Sequence, residues 1–138
     1  KLEQDIIKRI GIIEGLLTKI PSFSNERIKK IKKGLKDKMG EFEIKDIDDN
    51  RLEQELIYYL EKQDITEEQV RLKAHLGYFL ETMDVDFPNG KKLGFISQEI
   101  GREINTIGSK SFNADMQRII VQMKDELEKI KEQLLNIL

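Results

Sequence analysis

The stretch from Gly90 to Asp115, GKKLGFISQEIGREINTIGSKSFNAD, decides how this chain is read. Leu93, Ile96, Ile100, Ile104 and Ile107 recur every three or four residues, the spacing that lines apolar side chains along one stripe of an α-helix. The other faces carry Gln98, Glu99, Arg102, Glu103, Asn105, Thr106, Ser109 and Lys110. An ordinary solvated face would repeat Glu and Lys, whereas this one mixes acids, bases and amides. Such a face can hold a metal ion, grip a phosphate, or both.

The same periodicity extends outward over most of the chain. Leu2, Ile6, Ile10, Ile13, Leu17 and Ile20 form a stripe that Pro21 is expected to end. A second helix over about 25–39 carries Arg27, Lys29, Lys30, Lys32, Lys33, Lys36 and Lys38 against Glu26 and Asp37. The short Pro-Ser turn between them predicts an antiparallel hairpin that projects from the rest. Gly40 to Asp49 is read as a loop, because an isolated strand through Phe42, Ile44 and Ile47 would have nothing to pair with. A third helix runs over about 50–63. Thr66 with Gln69 forms a capping-box signature for a fourth, continuing to about Thr82. Pro88 marks a connector, and a fifth helix covers 90 to about 107. Gly108-Ser109-Lys110 is a break or a weak spot, and the last helix spans Asn113 to Leu138. Gly101 and Gly108, inside helical patterns, suit close helix packing. The expected fold is all-α: a helical hairpin over about 1–40, then a bundle of about four helices over 41–138.

Composition agrees. Of 138 residues, 36% are charged and 38% hydrophobic, with 2 Pro and 9 Gly, the profile of a helix-rich domain. The 24 basic and 26 acidic residues nearly cancel, so global charge argues neither for nor against nucleic acid. With no cysteine and one histidine, a metal site would rest mainly on oxygen ligands, which suits Mn²⁺ or Mg²⁺ better than Zn²⁺. No apolar run reaches the roughly 18 residues that suggest a membrane span, and no signal-peptide pattern opens the chain, so a cytoplasmic setting is expected. The chain starts at Lys1, already in helical register by Leu2, and is read as a piece of a longer protein.

Three sets of residues carry candidate chemistry. Glu99 and Glu103 lie one helical turn apart and can share a divalent ion, or divide between holding it and activating water. The alternative is an acidic pair compensated by Arg102 and lysines. His75, beside Leu72, Leu76 and Phe79, is a general acid or base, a metal ligand, or a partly buried structural histidine. Arg102, Lys110, Lys91 and Lys92 are spaced to reach phosphates, with Asn105, Thr106 and Ser109 as neutral donors; the alternative is salt bridging within the helix. The lysine-rich second helix lacks aromatic residues that would stack bases. No phosphate-cradling glycine loop, nucleophile elbow or kinase signature is present.

The order of these groups is more specific than any one of them. Asn50-Arg51-Leu52-Glu53-Gln54-Glu55 precedes Asp64-Ile65-Thr66-Glu67-Glu68 with Arg71-Leu72 and His75. Gly90-Lys91-Lys92-Leu93 follows with Phe95, Gln98-Glu99, Arg102-Glu103, Asn105-Thr106 and Ser109-Lys110, then Glu132-Gln133 and Asn136-Ile137. In this order and spacing the sequence resembles the carboxy-terminal portion of the YicC/YloC family of bacterial endoribonucleases, most strongly from Asn50 onward. The resemblance implies a metal-dependent enzyme that cuts single-stranded or structured RNA, assembled as a homohexamer with an additional amino-terminal domain. It places the family's polar signature on His75, Gln98, Glu99, Arg102, Glu103, Asn105, Ser109 and Lys110. Gly101 stands where the family usually has Asn, and Leu138 where an acid is typical.

The leading expectation is hydrolysis of RNA phosphodiester bonds. Glu99, Glu103 and His75 would serve as metal ligands or acid–base groups for Mn²⁺ or Mg²⁺. Arg102 and Lys110 would clamp phosphate, with Asn105, Ser109, Lys91 and Lys92 as further RNA contacts. A second expectation is a non-catalytic module for oligomerisation and RNA binding, whose activity needs the amino-terminal domain. A third is a plain helical scaffold.

Overall fold

A computed structural model describes residues 2–41, 49–87, 89–111 and 113–137. Among them are six α-helices and no strand: α1 (Leu2–Leu17), α2 (Ile20–Glu41), α3 (Asp49–Gln63), α4 (Thr66–Asp86), α5 (Gly90–Ser109) and α6 (Ala114–Leu135). The all-α expectation holds. Most of the loop expected between Gly40 and Asp49 lies outside the described residues.

The chain forms two compact units, residues 1–19 with 65–138, and residues 20–64. In the first, α1 packs on α4 and α6, and α5 packs on α4 and α6, so four helices close into a ring of neighbours. In the second, α2 packs against α3. The bundle of four therefore exists, with different members from those expected. The proximity of α1 and α2 in sequence suggested a hairpin of the first two helices. The long-range match between the stripes of α1 and α6 groups α1 with the bundle instead. Ile6, Ile10 and Ile13 are fully buried, as are Met123 and Ile130 of α6, and burying an aliphatic side chain of this size stabilises by about 1.5–3 kcal/mol.

Pro21 does not end a helix; it stands in the first turn of α2, where a missing N–H breaks no helical hydrogen bond. Only Thr18 and Lys19 separate α1 from α2. The capping box at Thr66 does not form: the N-cap position is Ile65, which offers no side-chain cap, and α4 runs on to Asp86.

The bundle's other helix ends follow local chemistry. Asn89 Oδ1 accepts from the Lys92 N–H at 3.1 Å and starts α5. Asn113 Oδ1 accepts from the Asp115 N–H at 2.7 Å and starts α6. Between them the chain breaks at Lys110, and Gln117 Nε2 donates to the carbonyls of Gly108 and Ser111, both at 2.9 Å, fixing the turn. Close packing at the two glycines is confirmed. An added Cβ would meet Leu127 Cδ2 at 3.2 Å from Gly101, and Ile120 Cγ2 at 3.0 Å from Gly108.

Candidate functional site: the seam between α4 and α5

Helices α4 and α5 run antiparallel, and three cross-helix contacts set their register. Lys110 Nζ donates to Glu68 Oε1 at 3.0 Å. Arg71 Nε donates to Glu103 Oε1 at 3.0 Å. Lys92 Nζ lies over the Tyr78 ring, 5.3 Å from its centroid, within reach of a cation–π attraction. Reading along the seam, residue numbers rise on α4 as they fall on α5. His75 lies between Arg71 and Tyr78 on one helix, and Glu99 between Lys92 and Glu103 on the other. Of the sequence-predicted residues, Glu103, Lys110 and Lys92 thus make the contacts across the seam.

The apolar stripe of α5 creates this seam. With Leu93, Ile100, Ile104 and Ile107 fully buried, Glu103 is carried to the border of the core, where it is buried. Glu68 is buried in the same way on α4, one turn before Leu72. Arg71 joins the two acids: its Nε meets Glu103, its Nη2 stands 3.6 Å from Glu68 Oε1, and its Nη1 is 3.2 Å from Glu67 Oε2. The hydrogen bond to Glu103 and then that to Glu67 raise the Arg71 guanidinium above its ordinary value, against the opposing effect of desolvation.

Acid outweighs base in this network. Glu67, Glu68 and Glu103 supply three negative charges, Arg71 and Lys110 two positive ones. Glu68 Oε2 and Glu103 Oε2 are both buried and have no hydrogen-bond partner among the described residues, as is also true of Ser111 Oγ. A buried carboxylate oxygen without a donor costs stability.

The predicted residues are not all used as expected. Glu99 and Glu103 diverge instead of facing each other: Glu99, half-exposed, meets Arg102 Nη2 at 3.7 Å, while Glu103 is drawn inward by Arg71. No group of three or more His, Asp or Glu residues among the described ones is arranged to hold a metal ion. His75, Glu99 and Glu103 are therefore not gathered into a ligand triad within this chain. Of the Glu103 carboxylate, Oε1 is taken by Arg71 Nε at 3.0 Å. Lys110 is engaged by Glu68. The Ser109 hydroxyl donates to the Thr106 carbonyl at 2.8 Å, and that of Thr106 to the Arg102 carbonyl at 3.1 Å, so both protons are directed to the helix's own backbone. Arg102, Asn105, Lys91 and Lys92 are exposed to solvent on α5.

Sequence reasoning assigned no role to Glu67, Glu68, Arg71 or Tyr78, although their spacing of three or four residues was visible. Which of the two adjacent acids would be buried depends on how α4 rolls against α5, and periodicity alone does not give that angle. Among the described residues no helix is long and apolar enough to cross a membrane.

An antiparallel helical seam with a charged, incompletely satisfied edge defines the class: an α-helical domain with a polar seam between α4 and α5. Residues 20–138 match the family model "Endoribonuclease YicC-like, C-terminal", and the chain belongs to that family. It is 39% identical over 139 residues to a protein of Clostridioides difficile (strain 630) named "Probable endoribonuclease YicC", an alignment covering 99% of this chain and 47% of the relative. A protein of the same name from Haemophilus influenzae (strain ATCC 51907 / DSM 11121 / KW20 / Rd) is 37% identical over 91 residues, 66% of this chain and 32% of the relative. The chain thus spans about half the length, or less, of these curated relatives.

Proposed function

We propose that this chain is the carboxy-terminal, RNA-engaging part of an endoribonuclease that hydrolyses RNA phosphodiester bonds, with the α4–α5 seam as its working face. The observation that carries this reading is the match over residues 20–138 to the YicC-like carboxy-terminal family. The seam adds a physical rationale. Phosphodiester cleavage builds negative charge on the phosphoryl oxygens, and guanidinium and ammonium groups held in place before reaction stabilise it at little reorganisation cost. Arg71 is held in this way by Glu103, and the exposed Arg102 stands on the neighbouring face of α5. His75 stands four residues after Arg71 on α4, and an imidazole can both donate and accept a proton.

Dependence on Mn²⁺ or Mg²⁺ belongs to the proposal for the longer enzyme, with ligands in addition to those of this chain. So do its assembly as a homohexamer and its cytoplasmic setting. The half-length match to the relatives supports a second reading, in which this chain binds RNA and self-associates while cleavage requires the longer protein.

The test is incubation of labelled RNA with the longer protein and with this chain, with and without EDTA, beside Glu99→Gln and Glu103→Gln variants. Cleavage by the longer protein that EDTA abolishes and Glu103→Gln lowers supports the first reading. Salt-dependent RNA binding by this chain without cleavage supports the second. Cleavage unaffected by either substitution removes the assignment of the site.

A further inference from the structure

We propose that Arg71 is the group on this seam that receives an RNA phosphate, and that Glu67 occupies the phosphate's place until RNA arrives. The proposal rests on the reading that this chain engages RNA, and it names a residue and an exchange that the reading leaves open.

The argument begins with the unequal burial of the three acids around one guanidinium. The Arg71 side chain is 46% exposed, so it is within reach of a ligand from solvent. Two of its acidic partners are fixed: the side chains of Glu103 and Glu68 are 8% and 7% exposed. The third, Glu67, is 82% exposed and holds Nη1 at 3.2 Å. A pair between exposed side chains four residues apart on a helix is weak, because water competes for both charges. The Glu67 contact is therefore the one that yields, and the two buried contacts keep the guanidinium plane in position while it does.

Charge and geometry favour a phosphate as the incoming group. A phosphodiester carries one negative charge, as Glu67 does, so the exchange leaves the charge of the cluster unchanged. Its oxygens suit the planar fork of arginine, which binds phosphate through more than one N–H. Glu67 also stands in the first turn of α4, whose N-cap residue Ile65 provides no side-chain cap, and the positive end of a helix dipole attracts an anion there. Repulsion among Glu67, Glu68 and Glu103 lowers the cost of moving the exposed member outward.

The experiment measures binding of a fluorescently labelled, mixed-sequence single-stranded RNA oligonucleotide to this chain by anisotropy over a range of salt concentrations. A circular dichroism melt accompanies each variant. Glu67→Gln, at an exposed position, keeps the fold and tightens binding by about threefold or more, because the competing charge is removed. Arg71→Lys weakens binding by about tenfold, because the fork is lost. In the Arg71→Lys background the gain from Glu67→Gln shrinks, which shows that the two residues act through one contact. Glu81→Gln, which removes an exposed acid elsewhere on α4, reproduces only a small part of that gain. The placeholder is overturned if wild type binds RNA and Glu67→Gln leaves affinity unchanged, or if Glu81→Gln tightens binding as much. A wild-type chain without RNA affinity instead overturns the RNA reading, and the proposal with it.

Discussion

Two helix pairs of the same bundle handle buried charge in opposite ways. Where α1 meets α6, Arg9 donates to Asp5 at 3.0 Å and to Glu126 at 2.9 Å, and Gln133 Nε2 donates to Asp5 at 2.9 Å. No atom of this group is left buried without a partner. Where α4 meets α5, Arg71 and Lys110 face three acids, and two carboxylate oxygens are buried and unpaired. Both pairs share one apolar core, so the difference lies at their polar edges. A satisfied network serves to fix helix pairing. An incompletely satisfied one leaves polar atoms that cost stability where they are buried.

The largest effects test whether the apolar halves of the two seams are equivalent. Ile10 and Ile104 are both fully buried, each one residue from a seam charge, and truncating either to alanine is expected to cost about 2–5 kcal/mol in urea unfolding. A negligible cost at Ile104 would show that the seams differ in their packing as well as their polar edges.

Next comes a crossed pair of neutral substitutions. In the longer protein, Glu103→Gln is expected to lower RNA cleavage by up to about 10²-fold, the scale of losing one pre-positioned charge stabiliser, because it loosens the hold on the Arg71 guanidinium, with little change in melting temperature. Glu126→Gln, its counterpart beside Arg9, is expected to leave the cleavage rate unchanged while costing about 1 kcal/mol of stability. Initial rates and melts on the same two variants decide it, and parallel behaviour would erase the contrast between the seams.

A smaller effect follows from pH. The hydrogen bond from Gln133 and then that from Arg9 hold the Asp5 carboxyl below its usual 3.8. A carboxylate lowered on folding stabilises the fold above its unfolded value, and that contribution is lost as pH falls through the lower, folded one. Stability should therefore drop below about pH 3.8 through the α1–α6 edge, and Asp5→Asn should flatten that part of an acid titration followed by circular dichroism. The smallest effect is the control: Arg118 and Asp115 form an exposed pair at 3.6 Å, and Arg118→Ala should change stability by no more than about 0.5 kcal/mol.

Much of this molecule was legible in its residues. The stripe of α5, the break after Gly108, the asparagine that starts α6 and the tight glycines all follow from local spacing and side-chain chemistry. The polar residues of α5 were legible too, and two of them, Glu103 and Lys110, meet α4. The family resemblance drawn from their order is matched by the model of the family.

What sequence could not supply are contacts between residues far apart in the chain. The short turn after α1 suggested a partner in α2, yet α1 belongs with α6, because pairing follows from complementary stripes and charges at separations such as that of Arg9 and Glu126. The i, i+4 spacing put Glu99 and Glu103 on one side of a helix. The guanidinium of Arg71, 32 residues before Glu103, turned one inward and left the other beside solvent. Periodicity by itself determined the helices and their polar faces, since it depends only on the 3.6-residue turn. Tertiary packing alone decided which acid was buried, which cation it held and which carboxylate remained free to exchange, because burial and charge pairing are properties of two surfaces meeting.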